Sequence, residues 1–112
     1  MAEVTERDRR IVFLEAQRAE NDAGEEAIIG WNTLFYRWAA YEPVSDGERL
    51  RAAAVEQRSD ARFRVLWSGP MVQITGAHRL RFDGADWQIT GLKERGFKGE
   101  IEITAWKIPE VA

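Results

Sequence analysis

The chain holds one histidine and no cysteine, which narrows the chemistry open to it. His78 is the first candidate for a general base or a metal ligand. A general base works with a nucleophile and an orienting group held beside it. Ser68 and Asp83 are the nearest such residues along the chain, and neither stands in an elbow or triad context. A zinc-type centre needs further imidazole or thiolate ligands, and none remain. His78 therefore reads as a structural or exposed side chain. The acidic pairs Glu25-Glu26 and Glu100/Glu102 carry the oxygen donors a divalent cation takes. Glu100 and Glu102 share one strand face, the usual look of a solvated surface. No phosphate loop, dinucleotide fingerprint or zinc spacing is present. No residue is assigned as catalytic, and no cofactor or metal is expected.

Arg62, Arg64, Arg79 and Arg81 form the other chemical constellation. Alternation places all of them on the wet faces of adjacent strand candidates. They could line up as a basic stripe for DNA phosphates. They could equally pair with Glu100 and Glu102 across a sheet, and the salt-bridged wet face is the favoured reading. Net charge is −3, which gives no general affinity for nucleic acid. Residues 1–60 hold 8 basic and 13 acidic residues, against 8 and 6 in residues 61–112. Such an asymmetric molecule can stack on its own copies or between unlike neighbours.

The elements that position these residues are mostly strands. Arg79–Leu92 reads as two alternating strands around an Asp83-Gly84 type I′ turn, because both turn residues need positive φ. That turn sets Phe82 opposite Ala85, Arg81 opposite Asp86, Leu80 opposite Trp87 and Arg79 opposite Gln88. One face then collects Leu80, Phe82, Trp87 and Ile89, and the next position would set His78 opposite Ile89. Arg10–Arg18 is a strand candidate on its Ile11-Val12-Phe13 run, with a helix as the weaker alternative. Ala19–Ala27 reads as an acidic loop. Ile28–Val44 gives one or two aromatic-rich strands, with Phe35–Tyr41 the surer part. Its rings suit the core and subunit contacts better than a stacking platform, since each buries about 150–250 Å². Ser45-Asp46-Gly47-Glu48 is a capping box opening a short helix over 46–57. That helix has a thin, mostly alanine face that docks weakly.

Arg62–Trp67 alternates strictly. Met71–Thr75 is a short connector or bridging strand, Lys93–Gly99 a charged hairpin loop, and Glu100–Ile108 the last strand with a bulge near Ala105. Trp106-Lys107 reads as packing. The sum is one domain over 1–112, with residues 1–8 frayed. It is mainly β, a small antiparallel β-sandwich or partly open β-barrel with one short helix in a long connecting loop. No run approaches the ~20 apolar residues of a membrane span. The first residues lack the basic-then-apolar order of a signal peptide, so synthesis in the cytoplasm is expected.

The order of signals resembles one family. Arg10-Ile11-Val12-Phe13 is followed by Asp22-Ala23-Gly24-Glu25, then Trp31 and Trp38-Ala39, then Glu42-Pro43. Ser45-Asp46-Gly47-Glu48 opens a variable segment. Arg62-Phe63-Arg64-Val65 precedes Arg79-Leu80-Arg81-Phe82-Asp83-Gly84 and Trp87-Gln88-Ile89. The set is similar to the head–tail joining, or head closure (stopper), proteins of tailed phages and of gene transfer agents. Two stretches depart from the family pattern: Ala40-Tyr41 stands where a valine is usual, and Ser68–Ala77 does not align.

The resemblance implies a non-enzymatic virion connector at the neck of a phage or phage-like particle. It implies a small β-barrel forming a ring of six or twelve copies. A portal and adaptor ring would sit above it and a tail terminator or tail tube below. Packaged DNA would pass through the channel without sequence-specific binding, and no membrane is involved. The segment after the Trp-Ala strand can face the channel in this family. Here that segment is Pro43–Asp60, with Pro43, Ser45, Glu48, Arg49, Arg51, Glu56, Arg58 and Asp60 as channel or gating residues. Trp31, Phe35 and Tyr41 are the candidate subunit or partner contacts. A tail terminator or other neck component is the alternative, and a small nucleic-acid-binding β-barrel is the second.

Overall fold

A computed structural model describes residues 7–44 and 60–109. Six antiparallel strands form the fold: β1 (Arg9–Glu20), β2 (Glu26–Pro43), β3 (Asp60–Leu66), β4 (Arg79–Phe82), β5 (Ala85–Arg95) and β6 (Glu100–Lys107). Their order is β1-β2-β3-β6-β5-β4, and β4 pairs back onto β1 to close a barrel. The antiparallel β class is as the sequence implies, and the sheet closes where a sandwich or partly open barrel was expected. Closure rests on three residue pairs, Val12↔Arg81, Phe13↔Leu80 and Leu14↔Arg79.

The Asp83-Gly84 turn sets the register the sequence predicts, pair for pair from Arg79↔Gln88 to Phe82↔Ala85. Both turn residues have positive φ, 56° and 77°. That is the type I′ geometry, whose twist matches the strands it joins.

Alternation fills the barrel. Ile11 and Phe13 of β1, Phe63 and Val65 of β3, Leu80 and Phe82 of β4, Trp87 and Ile89 of β5, and Ile101 and Ile103 of β6 are all buried. At one end Tyr41, Phe63, Phe82 and Trp87 form a cluster of rings, with centroids 4.8 to 6.5 Å apart. The Trp87 indole N–H donates to the Phe82 carbonyl at 3.3 Å, so its polar atom is satisfied inside the core.

Three local features differ from the sequence reading. The Ala19–Ala27 loop is a tight turn over residues 21–25, because β1 continues to Glu20 and β2 starts at Glu26. Asn21 makes this possible: its side-chain oxygen accepts from the Ala23 and Glu25 amides. The connector after Pro70 is a 3₁₀ turn, Gly69–Gln73, with the proline in its first turn where a missing N–H costs nothing. The bulge lies on β5, between Ile89 and Gly91, opposite Ala105 and Thr104 of β6. β6 keeps its parity and β5 carries the extra residue. The expected helix over 46–57 lies outside the described residues.

Because neighbouring strands alternate in direction, the connections sort to two ends. The β1–β2 turn, the Ser68–His78 connection and the β5–β6 turn share one end. The Asp83-Gly84 turn and the start of segment 45–59 share the other. Beyond Leu14, β1 pairs only with β2, so Glu15–Glu20 and residues 26–33 continue as a two-stranded ribbon.

Candidate functional site

Pro43 and Asp60 close the neck of the candidate gating segment. Pro43 pairs with Ala61, and the Val44 amide donates to the Asp60 carbonyl at 3.0 Å. Ser45, Glu48, Arg49, Arg51, Glu56 and Arg58 lie outside the described residues. Both ends of the segment are thus held at one point, beside the ring cluster that fills that end of the barrel.

The candidate contact residues Trp31, Phe35 and Tyr41 are half-buried and lean on their own chain. Tyr41 belongs to the ring cluster, and Phe35 packs on Phe13 at 5.3 Å. Trp31 lies over the Arg79 guanidinium at 4.2 Å. Trp31 is on β2 and Arg79 on β4, on either side of β1, so their contact crosses β1's outer face. Leu14 pairs with Arg79 there and is fully buried without joining the central cluster.

The most exposed large apolar residues are others. Tyr36 and Trp38 face outward on β2 in an edge-to-face pair 6.5 Å apart, with Arg10 stacked over Tyr36 at 4.5 Å. Ile28, Ile29, Leu66, Val72 and Phe97 all stand toward the end opposite the neck. Phe97 is 89% exposed at the tip of the β5–β6 hairpin. Two signals in the sequence point to these residues. Ile28-Ile29 puts two large apolar residues side by side, where alternation hides only one. Phe97 is a ring inside a charged, glycine-bounded turn.

The four arginines are ion-paired within the chain. Arg62 reaches Glu102 (3.7 Å), and Arg64 reaches Glu42 (2.9 Å) and Glu100 (4.0 Å). Arg79 and Arg81 share Asp86, at 3.9 and 2.8 Å. The hydrogen bond from Arg81 Nε to Asp86 pushes the guanidinium further above its ordinary value. Slight burial opposes this, and the Asp86 charge adds to it. Glu100 and Glu102 are therefore committed to arginines, with Arg7 and Arg95 as further partners at 2.9 and 3.2 Å.

His78 does not pair with Ile89, because the β4–β5 ladder ends at Arg79↔Gln88. It precedes β4, where its Nδ1 accepts from the Thr75 amide at 3.1 Å in a local turn. A cleft of about 470 Å³ beside the Asp83-Gly84 turn is lined by Asp83, Asp86, Lys107 and Pro109 among others. It carries charges of both signs, and its lining has no serine, threonine or histidine. No group of acidic or imidazole side chains among the described residues has a metal-binding arrangement, and no described helix is long and apolar enough to cross a membrane.

A family model described as phage head completion protein matches residues 4–108. The chain belongs to that family, and it is a structural protein of the head–tail region of the virion. Two solved structures share its fold. Protein SF1141 from Shigella flexneri 2a has a TM-score of 0.68 at 18% identity, covering 88% of this chain and 90% of its own. A chain in the virion of a native gene transfer agent particle has a TM-score of 0.64 at 22% identity, covering 90% and 94%. No curated protein sequence matches significantly.

Proposed function

We propose that this chain is a head-closure, or stopper, protein. Copies form a ring of six or twelve between the portal–adaptor complex and the tail terminator or tail tube. The ring retains packaged DNA and offers the tail a platform. Residues 45–59 face the channel as its gate.

The observation that carries this reading is the neck at Val44 and Asp60. A connection of fifteen residues leaves and re-enters one end of the barrel at a single pinned point, which places it beside one end of the ring's channel in this reading. The barrel interior is packed with side chains and is a core rather than a pore. DNA must therefore pass between copies, along the axis of a ring. The shared fold with a chain of a gene transfer agent virion supports a place in a phage-like particle. Arg49, Arg51 and Arg58 alternate with Glu48, Glu56 and Asp60 along the segment, a mix suited to a surface that does not grip DNA.

The test is particle assembly with two variants. Particles lacking the chain should neither hold DNA nor carry tails. Particles in which residues 46–58 are replaced by a short Gly-Ser linker should carry tails but leak DNA. Full particles with tails in the first case overturn the connector reading. Full DNA retention in the second overturns the gate.

A further inference from the structure

Resting on the connector reading, we propose that neighbouring copies join through two hairpins. The β5–β6 tip of one copy seats Phe97 on Ile28 and Ile29 of the next copy's β1–β2 ribbon.

Both features are apolar and lack cover from their own chain. Phe97 is 89% exposed, Ile29 62% and Ile28 46%. The tip is built to present its ring. Gly96 and Lys98 both hold positive φ, and Glu94 accepts from the Lys98 amide at 2.8 Å. The Lys98 ammonium lies over the rings of Trp67 and Phe97, 5.1 and 5.5 Å from their centres. The ribbon has the opposite need. Two strands alone are marginal in water, and residues 26–33 pair only with β1, since β3 meets β2 only at Ala40–Pro43.

Charge selects a second copy as the occupant. Around Phe97 the tip carries Lys93, Arg95 and Lys98 against the one carboxylate Glu94, with Arg95 paired to Glu102. Glu20, Asp22, Glu25 and Glu26 gather at the ribbon's turn, next to the isoleucines along the chain, and the one cation there is Arg18, which pairs with Ile28. None of those four carboxylates has a cationic partner among the described residues, whereas the barrel-wall arginines are paired. Position agrees with charge. The two hairpins leave the same end of the barrel, and β3 and β4 separate them on either side. A contact between unlike surfaces on opposite sides of a subunit is heterologous, and it closes into a ring when the rotation allows.

The chain has no cysteine of its own, so within it only the introduced thiols react. Particles are assembled with Phe97→Cys/Ile29→Cys in one chain, treated with a short bis-maleimide and run on a denaturing gel. The expected result is a ladder of this chain extending beyond the dimer, with each single variant remaining monomeric. A monomeric double variant in particles that hold DNA and carry tails overturns the contact and leaves the connector reading standing. Dimers from either single variant, or a link to a different virion protein, also overturn it. Absence of the chain from particles removes both readings. As a second measurement, Glu26→Lys should lower the yield of full particles about tenfold, and adding Lys98→Glu should restore it. No restoration counts against the pairing.

Discussion

The Trp31 ring lies flat over the Arg79 guanidinium, 4.2 Å from its centre, and this pair bridges β2 and β4 across β1. It covers the shortest seam of the barrel, where Leu14 is fully buried. It also covers the Arg79 Nε, which is buried without a hydrogen-bond partner. Trp31→Ala should destabilise the barrel by about 2 kcal/mol, through the lost cation–π contact and the exposure of Leu14. Arg79→Met keeps the stem and sheds the unpartnered nitrogen, so it should cost less. Urea denaturation of both variants measures the difference.

Gly84 holds φ of 77° at the second turn position. Gly84→Ala should cost about 1–2 kcal/mol, because a Cβ disfavours that backbone. Nothing stands within 4 Å of the added carbon, so the cost is conformational rather than steric. Asp83→Gly should be close to neutral in the same assay.

Phe63 touches Tyr41, Phe82 and Trp87 and is fully buried. Phe63→Ala should cost about 3–5 kcal/mol, a large share of a small domain's stability. Thermal unfolding by circular dichroism checks it, and Phe63→Leu should recover most of the loss.

The arginine wall makes a functional prediction. Arg62 and Arg64 are turned toward Glu102, Glu42 and Glu100. The double variant Arg62→Gln/Arg64→Gln should leave DNA retention by particles unchanged. Purified protein should show no salt-dependent DNA binding in a filter assay at low salt. Binding that weakens steeply with salt, and is lost in the double variant, would revive the nucleic-acid reading.

The hairpin from Arg79 was legible residue by residue, because Asp-Gly admits few turn geometries and each of them fixes parity. β2 was less so. Both of its faces carry rings, with Phe35 and Tyr41 on one and Tyr36 and Trp38 on the other. Alternation cannot say which set is inside; closure of the sheet decides it, and that is a long-range property. Phe35 and Tyr41, expected as contacts, are half-buried and also pack within the chain, while Tyr36 and Trp38 are the more exposed rings. Phe97 was passed over because a charged glycine turn reads as solvent. The bulge was expected on β6 because Trp106 and Ile108 follow Ala105, whereas Ile101, Ile103 and Ala105 stay buried in strict alternation and the extra residue lies on β5.

The pinned neck at Val44 and Asp60 sets a fixed closure distance for the segment between them, whatever its length. Doubling the length of such a loop costs only about 0.6 kcal/mol of closure entropy. At the neck itself, then, a longer or shorter segment asks little of β2 and β3.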